Sequence, residues 1–67
     1  MSRLQFYTLD NVKVKEFDSN YYPEIDDAIE FDKSQYVVIG RLFIYSELCE
    51  IKNVNYIIRY MGTKVDV

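Results

Sequence analysis

The sequence predicts an all-β protein: a small antiparallel meander of five or six strands that closes into a barrel. The longest apolar run, residues 36–45, is rich in Val, Ile, Phe and Tyr, which favour strands over helices. Residues 54–61 carry apolar side chains at every second position, as a strand with one buried face requires. Turn-forming residues recur roughly every ten residues, a spacing typical of small barrels. An SH3-like barrel is the first expected architecture and an OB-like barrel the second.

The chain of 67 residues is predicted to form a single domain over residues 1–67. A domain this short buries only about 60% of its unfolded surface, so its core is thin. One cysteine, Cys49, excludes an internal disulfide, and histidine, the commonest metal ligand, is absent. We therefore expect no metal and no cofactor, and we interpret Cys49 as a packing residue. A partner, such as a second copy of the chain, is the expected supplement to stability.

The N-terminal segment is predicted to form a hairpin. Residues 3–9 and 12–17 are its strands, and the Asp-Asn pair between them suits a two-residue turn. Such a turn would pair Leu9 with Val12 and Tyr7 with Val14 and would place these four apolar side chains on one face. The other face carries Lys13 and Lys15 but also Leu4, Phe6 and Phe17, so two interpretations remain: it is half exposed, or it is covered too.

The middle of the chain allows two interpretations. A short helix near residues 23–30 would have proline at its first position and acidic side chains in its first turn, where they favour the helix dipole. Alternatively, residues 28–31 form a short strand. The sequence does not decide between the helix and the strand. Residues 32–35 are predicted to form the next turn.

The C-terminal half is predicted to be strands and turns. Gly40 within the long apolar run indicates a bulge or a bend. Residues 46–51 continue the sheet, residues 52–53 form a tight turn, and residues 63–67 either add an edge strand or fray. One face of the predicted strand 54–61 carries Val54, Tyr56, Ile58 and Tyr60.

Charge limits the classes of partner. The net charge of −3 and the isoelectric point of about 4.7 oppose binding to a nucleic-acid backbone, which requires Lys and Arg. Residues 40–45 resemble the glycine, basic and aromatic pattern of an RNA-recognition strand, but the chain has no room for the two helices of that fold. Nucleic acid is therefore disfavoured as a ligand.

The location of the protein is predicted from absent features. No apolar run approaches the ~20 residues of a membrane-spanning helix, and the first residues lack the apolar core of a signal peptide. The lone cysteine favours a reducing compartment. We therefore expect a cytoplasmic protein with no membrane partner.

The acidic stretch from Glu16 to Asp32 contains seven acidic residues and no Lys or Arg. It lacks the glycine and terminal glutamate of an EF-hand loop, and a chain this small rarely shapes the cleft of a glycosidase. An acidic surface that steers a basic partner is one interpretation, and a solvated loop that maintains solubility is the other.

Exposed tyrosines and arginines are the second candidate feature, because both residue types are enriched at interface hot spots. Seven tyrosines exceed what so small a core can bury, so some are expected at the surface. Together with the acidic stretch they define the predicted partner-binding residues: Asp18, Tyr21, Tyr22, Glu24, Asp26, Asp27, Arg41 and Tyr45.

The predicted function is that of a small acidic protein-binding module for a partner with a basic surface. An enzyme is not expected, because no histidine is present to activate Cys49 and no cofactor loop is recognisable. The plentiful Ile, Tyr, Asn and Lys are typical of AT-rich coding DNA, as in low-GC bacteria and their phages. In general type the chain resembles small acidic phage or viral proteins that bind a host protein. This implies an inhibitor that occludes a host nucleic-acid enzyme or defence protein in the host cytoplasm. The alternative is an assembly subunit that acts through edge-strand pairing or homodimerisation.

Overall fold

A computed structural model of the protein describes residues 1–63. These residues form one mixed sheet of five strands that is curled into a half-barrel, which confirms the all-β prediction. The strands are β1 (Ser2–Thr8), β2 (Lys13–Ser19), β3 (Ala28–Phe31), β4 (Ser34–Tyr45) and β5 (Ile51–Thr63).

The order of the strands across the sheet is β2-β1-β5-β4-β3. The predicted antiparallel meander is wrong, because β1 and β5 pair in parallel while the other neighbours are antiparallel. The reason is the connection after β2, which takes the chain from one edge of the sheet to the other before β3 begins. The chain then returns towards the centre, and β5 lies between β4 and β1.

The predicted helix near residues 23–30 is also wrong, since residues 1–63 contain no helix. The alternative strand over residues 28–31 is confirmed as β3, where Ile29 and Phe31 pack against the core. A two-residue turn joins β3 to β4. Its residues, Asp32 and Lys33, have φ angles of 50° and 71°, as a type I′ hairpin turn requires.

The core lies on the concave face of the sheet. Phe6 stacks on Tyr56, with ring centroids 4.8 Å apart, and both side chains are fully buried. The predicted alternation of β5 is confirmed, because its buried side chains follow one another at every second position. Within residues 1–63 the buried hydrophobic cluster is Leu4, Phe6, Val38, Val54, Tyr56 and Ile58.

β1 presents the opposite face to that predicted, because Leu4 and Phe6 are buried, whereas Val14 of β2 packs against the core on the predicted face. Leu9 and Val12 are 66% and 57% exposed. The turn has three residues rather than two: the Thr8 amide donates to the Val12 carbonyl at 2.9 Å, and Asn11 has a φ of 64°. Such a turn carries one residue in the left-handed region.

This three-residue turn shifts the register only beside itself, where Tyr7 pairs with Lys13, whereas from Ser2 to Phe6 the pairing is the one that the predicted two-residue turn would give. The face of β1 is therefore set by packing, because Phe6 stacks on Tyr56 of β5.

The turn between β4 and β5 repeats this geometry. The Ser46 amide donates to the Glu50 carbonyl at 2.8 Å, and Cys49 takes the left-handed position with a φ of 63°. The turn predicted at residues 52–53 is wrong, since these residues lie within β5. Cys49 is exposed rather than packed in the core.

Gly40 forms the predicted bulge, because the register between β4 and β5 shifts between Val38 and Gly40. A Cβ atom at Gly40 would lie 3.3 Å from the Cβ of Ile57, so the glycine allows a close approach of the two strands. Of the predicted edge strand at residues 63–67, only Thr63 is described, as the last residue of β5; the rest lies outside the described residues.

The two edges of the sheet approach each other across the concave side. Phe31 of β3 lies edge-on to Phe6 at 4.9 Å and to Phe17 of β2 at 6.0 Å, measured between ring centroids. Lys15 of β2 forms an ion pair with Asp32 at 3.6 Å. These contacts hold the curl of the half-barrel.

Candidate partner-binding site

The connection between β2 and β3, residues 20–27, crosses the concave side of the sheet, and we call it the strap. Its first anchor is Tyr22. The Tyr22 hydroxyl lies 2.9 Å from the Ser2 Oγ atom, and its ring is edge-on to Phe43 at 6.0 Å. The strap therefore covers the end of the core formed by β1 and β4.

The second anchor is the carbonyl oxygen of Pro23, which accepts two hydrogen bonds. The buried Tyr56 hydroxyl donates at 2.8 Å and the Arg41 Nη1 atom donates at 3.1 Å. The Arg41 guanidinium carbon also lies 4.8 Å from the centre of the Phe43 ring. Burial raises the pKa of Tyr56 above its ordinary value, and the nearby Arg41 partly opposes that shift. Tyr56 therefore keeps its proton and remains a donor to the strap.

The third anchor joins the strap to β4. The Asp26 amide donates to the Val38 carbonyl at 2.8 Å, and the Val38 amide donates to the Asp27 carbonyl at 2.9 Å. Asp27 also fixes the turn with its side chain, because its Oδ2 atom accepts the Glu24 amide at 2.8 Å. Asp26 has a φ of 75°, a value that aspartate tolerates better than most residues.

These anchors divide the predicted site residues by role. Tyr22, Asp27 and Arg41 hold the strap in place. Tyr21, Glu24 and Asp26 project from it, and Tyr21 is 69% exposed. The strap therefore brings together six of the eight predicted residues: Tyr21, Tyr22, Glu24, Asp26, Asp27 and Arg41.

The other two predicted residues lie elsewhere. Tyr45 is at the end of β4 beside the Ser46–Glu50 turn and is 58% exposed. Asp18 lies on the convex face, opposite the core, where its Oδ1 atom accepts a hydrogen bond from the Arg3 Nε atom at 2.9 Å.

The acidic stretch of the sequence is thus not one surface. Glu16 belongs to the convex face, where its carboxylate accepts hydrogen bonds from Lys13 at 3.0 Å, Arg3 at 2.6 Å and Gln5 at 2.8 Å. These donors, Lys13 foremost, lower the pKa of Glu16 to about 2. This network is not predictable from the sequence, because its members come from two strands whose register a pattern of charges does not fix.

The strap and β3 carry exposed acidic groups outside the described ion pairs, as do the two hairpin turns with Asp10, Glu47 and Glu50. Glu24, Asp26 and Glu30 are exposed and take part in none of the four ion pairs described within residues 1–63. No group of three or more His, Cys, Asp or Glu side chains in the same part of the chain is arranged to hold a metal ion. Nor does that part contain a helix long and apolar enough to cross a membrane.

Comparison with known proteins adds no relative. No protein-family model, curated protein or solved structure matches the chain.

Proposed function

We propose that the protein is a stoichiometric binding module whose strap occludes a basic surface on a protein partner. The observation that carries the proposal is the combination of exposed acidic groups and a fixed backbone in the strap. Glu24 and Asp26 have no ion-pair partner among the described residues. The backbone on either side of them is held by hydrogen bonds at Pro23 and Asp27. A recognition loop that is already ordered loses less entropy on binding, and its charges steer the encounter.

Tyr21 supplies the apolar part of the same surface. Its ring is 69% exposed beside the acidic groups, and its position is fixed because its amide and carbonyl both bond to the Ser19 hydroxyl, at 2.9 Å and 3.0 Å. Tyrosine is a favoured contact residue because it offers a large ring and a hydroxyl at little cost in entropy.

The class of partner follows from the charge. Proteins that bind nucleic acids present Lys and Arg to the phosphate backbone, so an acidic module competes for the same surface. We extend the proposal accordingly to a phage or viral inhibitor of a host nucleic-acid enzyme or defence protein, acting in the host cytoplasm without catalysis. Composition and charge support this extension.

The edges of the sheet favour this proposal over assembly by edge-strand pairing. β2 has four charged residues among its seven, and β3 has only four residues, with Asp27 before it and Asp32 after it. Short strands and charged side chains are the features by which proteins protect their edges from pairing.

As to architecture, we propose that the half-barrel belongs with the small barrels, either SH3-like or OB-like. The five strands and the incomplete closure favour the OB-like alternative, since that fold is a five-stranded and partly open barrel.

The binding proposal is tested by recovering a partner from a lysate of a low-GC bacterium and measuring the affinity of the purified pair. Glu24→Gln and Asp26→Asn each remove one charge, and asparagine also tolerates the positive φ of residue 26. Each variant is expected to weaken binding about two- to fivefold at low salt, the range of an exposed ion pair. The same loss is expected on raising salt from about 0.05 to about 0.5 M.

Glu47→Gln is the matched control, because it removes one charge from the β4–β5 turn, outside the strap. An unchanged affinity in both strap variants, or an equal loss in the Glu47 variant, would contradict the proposal. So would failure to recover any basic protein.

A further inference from the structure

The convex face of the sheet carries exposed apolar side chains among polar ones and is not covered by any element within residues 1–63. Leu42 and Met61 are 61% and 59% exposed on it. Both side chains point away from the core, since they alternate with side chains of the concave face. Val37 and Ile57 lie between them along the strands, and Tyr7 lies beside Ile57 on β1. All three are partly exposed.

Two shallow grooves indent this face. One, of about 430 Å³, is bordered by Leu42 and Ile57, beside the position where Gly40 has no side chain. The other, of about 400 Å³, is bordered by Met61 and Val37. Each groove therefore has an exposed apolar side chain at its border, a property that suits a surface meeting its own copy.

The charge of the face indicates what covers it. On the convex face, the residues of all five strands that lie in register with Asn53 to Met61 of β5 include three cationic and three acidic residues. Their formal charge is zero, whereas the whole chain carries −3. The acidic excess thus lies elsewhere. The six residues are Arg3, Lys13, Arg59, Glu16, Asp18 and Glu30.

A two-fold interface places one patch against the same patch, so a patch with a large net charge repels itself. This face escapes that repulsion, whereas the acidic strap does not. A basic partner, by contrast, gains no electrostatic attraction from a neutral face. The charge distribution therefore favours a second copy of the chain as the occupant.

The size of the face sets an upper limit on the contact. Five strands about 4.8 Å apart and nine residues of about 3.3 Å each span roughly 20 by 30 Å. Because the sheet is curled and this face is convex, two such faces bury less than about 1,200 Å² in total, the range of weak and transient interfaces.

We propose that two copies of the chain dock through their convex faces, with Leu42 of each copy seated in the Met61 groove of the other. The inference goes beyond the proposed function, because it uses the opposite side of the sheet. Both straps remain free in the dimer, which would present two acidic surfaces to its partner and gain avidity wherever the geometry lets both engage.

Sedimentation equilibrium of the full chain tests the proposal. The wild type, with a protomer mass of 8.0 kDa, is expected to approach twice that mass as its concentration rises from about 5 to about 500 µM. Leu42→Asp adds a charge at the centre of the face and is expected to raise the dissociation constant of the dimer at least about tenfold. Raising salt should leave the wild-type dimer intact.

Leu48→Asp is the matched control, because Leu48 is 82% exposed in the β4–β5 turn and lies outside the face. It should dimerise as the wild type does. Met61→Asp provides a second variant on the face, and circular dichroism of each variant establishes that it folds. A wild type that stays monomeric up to the highest concentration would overturn the proposal, as would equal dimerisation of the Leu48 and the two face variants.

Discussion

The two faces of the sheet differ both in their polarity and in what covers them. On the concave face Phe6 and Tyr56 are fully buried, whereas Leu42 and Met61 on the convex face are more than half exposed. The difference in coverage comes from the strap and from the approach of β2 and β3, both of which lie on the concave side. Alternation along each strand defines the two faces. The more apolar face becomes the core, and the strap and the approach of β2 and β3 complete its burial.

The largest effect is expected when an apolar side chain is truncated to alanine on each face in turn and the free energy of unfolding is compared. Phe6→Ala is expected to lower the free energy of unfolding by about 3–5 kcal/mol, since it removes a buried ring and leaves a cavity. Leu42→Ala is expected to change it by about 0.5 kcal/mol or less in the monomer, because its side chain is already in contact with water. Urea unfolding at low protein concentration measures both.

A loss that large approaches the whole stability of so small a domain. Phe6→Leu, which keeps most of the apolar volume, should therefore be measured beside it and should cost less than the alanine variant. If Phe6→Ala and Leu42→Ala cost the same, the assignment of the core to the concave face is wrong.

A smaller effect is expected where the strap is anchored. Tyr56→Phe removes the hydroxyl that donates to Pro23, while the Arg41 guanidinium still donates to the same carbonyl. The free energy of unfolding should fall by about 1 kcal/mol, the net contribution of one hydrogen bond. Hydrogen exchange of the Asp26 amide, which bonds to Val38, should become faster.

Tyr45→Phe serves as the control for this change, since it removes a hydroxyl from an exposed tyrosine outside the strap. Its stability and its exchange rates should match those of the wild type. Equal protection of the Asp26 amide in the Tyr56 variant would show that the anchor at Pro23 does not order the strap.

The smallest expected effect is the pH dependence of the convex network. The pKa of Glu16 falls from 4.5 to about 2 in the folded protein. Its contribution to stability is therefore fully present above about pH 4.5 and is lost as the pH falls towards 2. Glu16→Gln should reduce the difference in urea midpoint between about pH 6 and about pH 2.5, because glutamine does not titrate.

Glu50→Gln, in the exposed β4–β5 turn, is the comparison for Glu16. It should leave the pH dependence as it is in the wild type. An NMR titration of the Glu16 carboxyl gives the direct measurement, and a midpoint near that of a free glutamate would contradict the network.

Part of the candidate site was predictable from residue types. The acidic residues and Tyr21 between β2 and β3 were identified because they lie close together in the sequence. The structural role of Arg41 was not, because its bond to the Pro23 carbonyl joins residues that are 18 positions apart. Asp18 and Glu16 were grouped with the strap for the same reason: nearness in sequence does not show which face a strand residue occupies.

The sequence by itself determined that the protein is built from strands, that Gly40 interrupts the longest apolar run with a bulge, and that residues 54–61 alternate about a buried row. These are local properties, set by side-chain shape, backbone freedom and the two-residue period of a strand. Only the tertiary structure decided that β5 pairs in parallel with β1 and that Phe6 rather than Leu9 faces the core. Those outcomes depend on contacts between residues far apart in the sequence, since β1 carries apolar side chains on both faces and the stacking of Phe6 on Tyr56 selects the face that is buried.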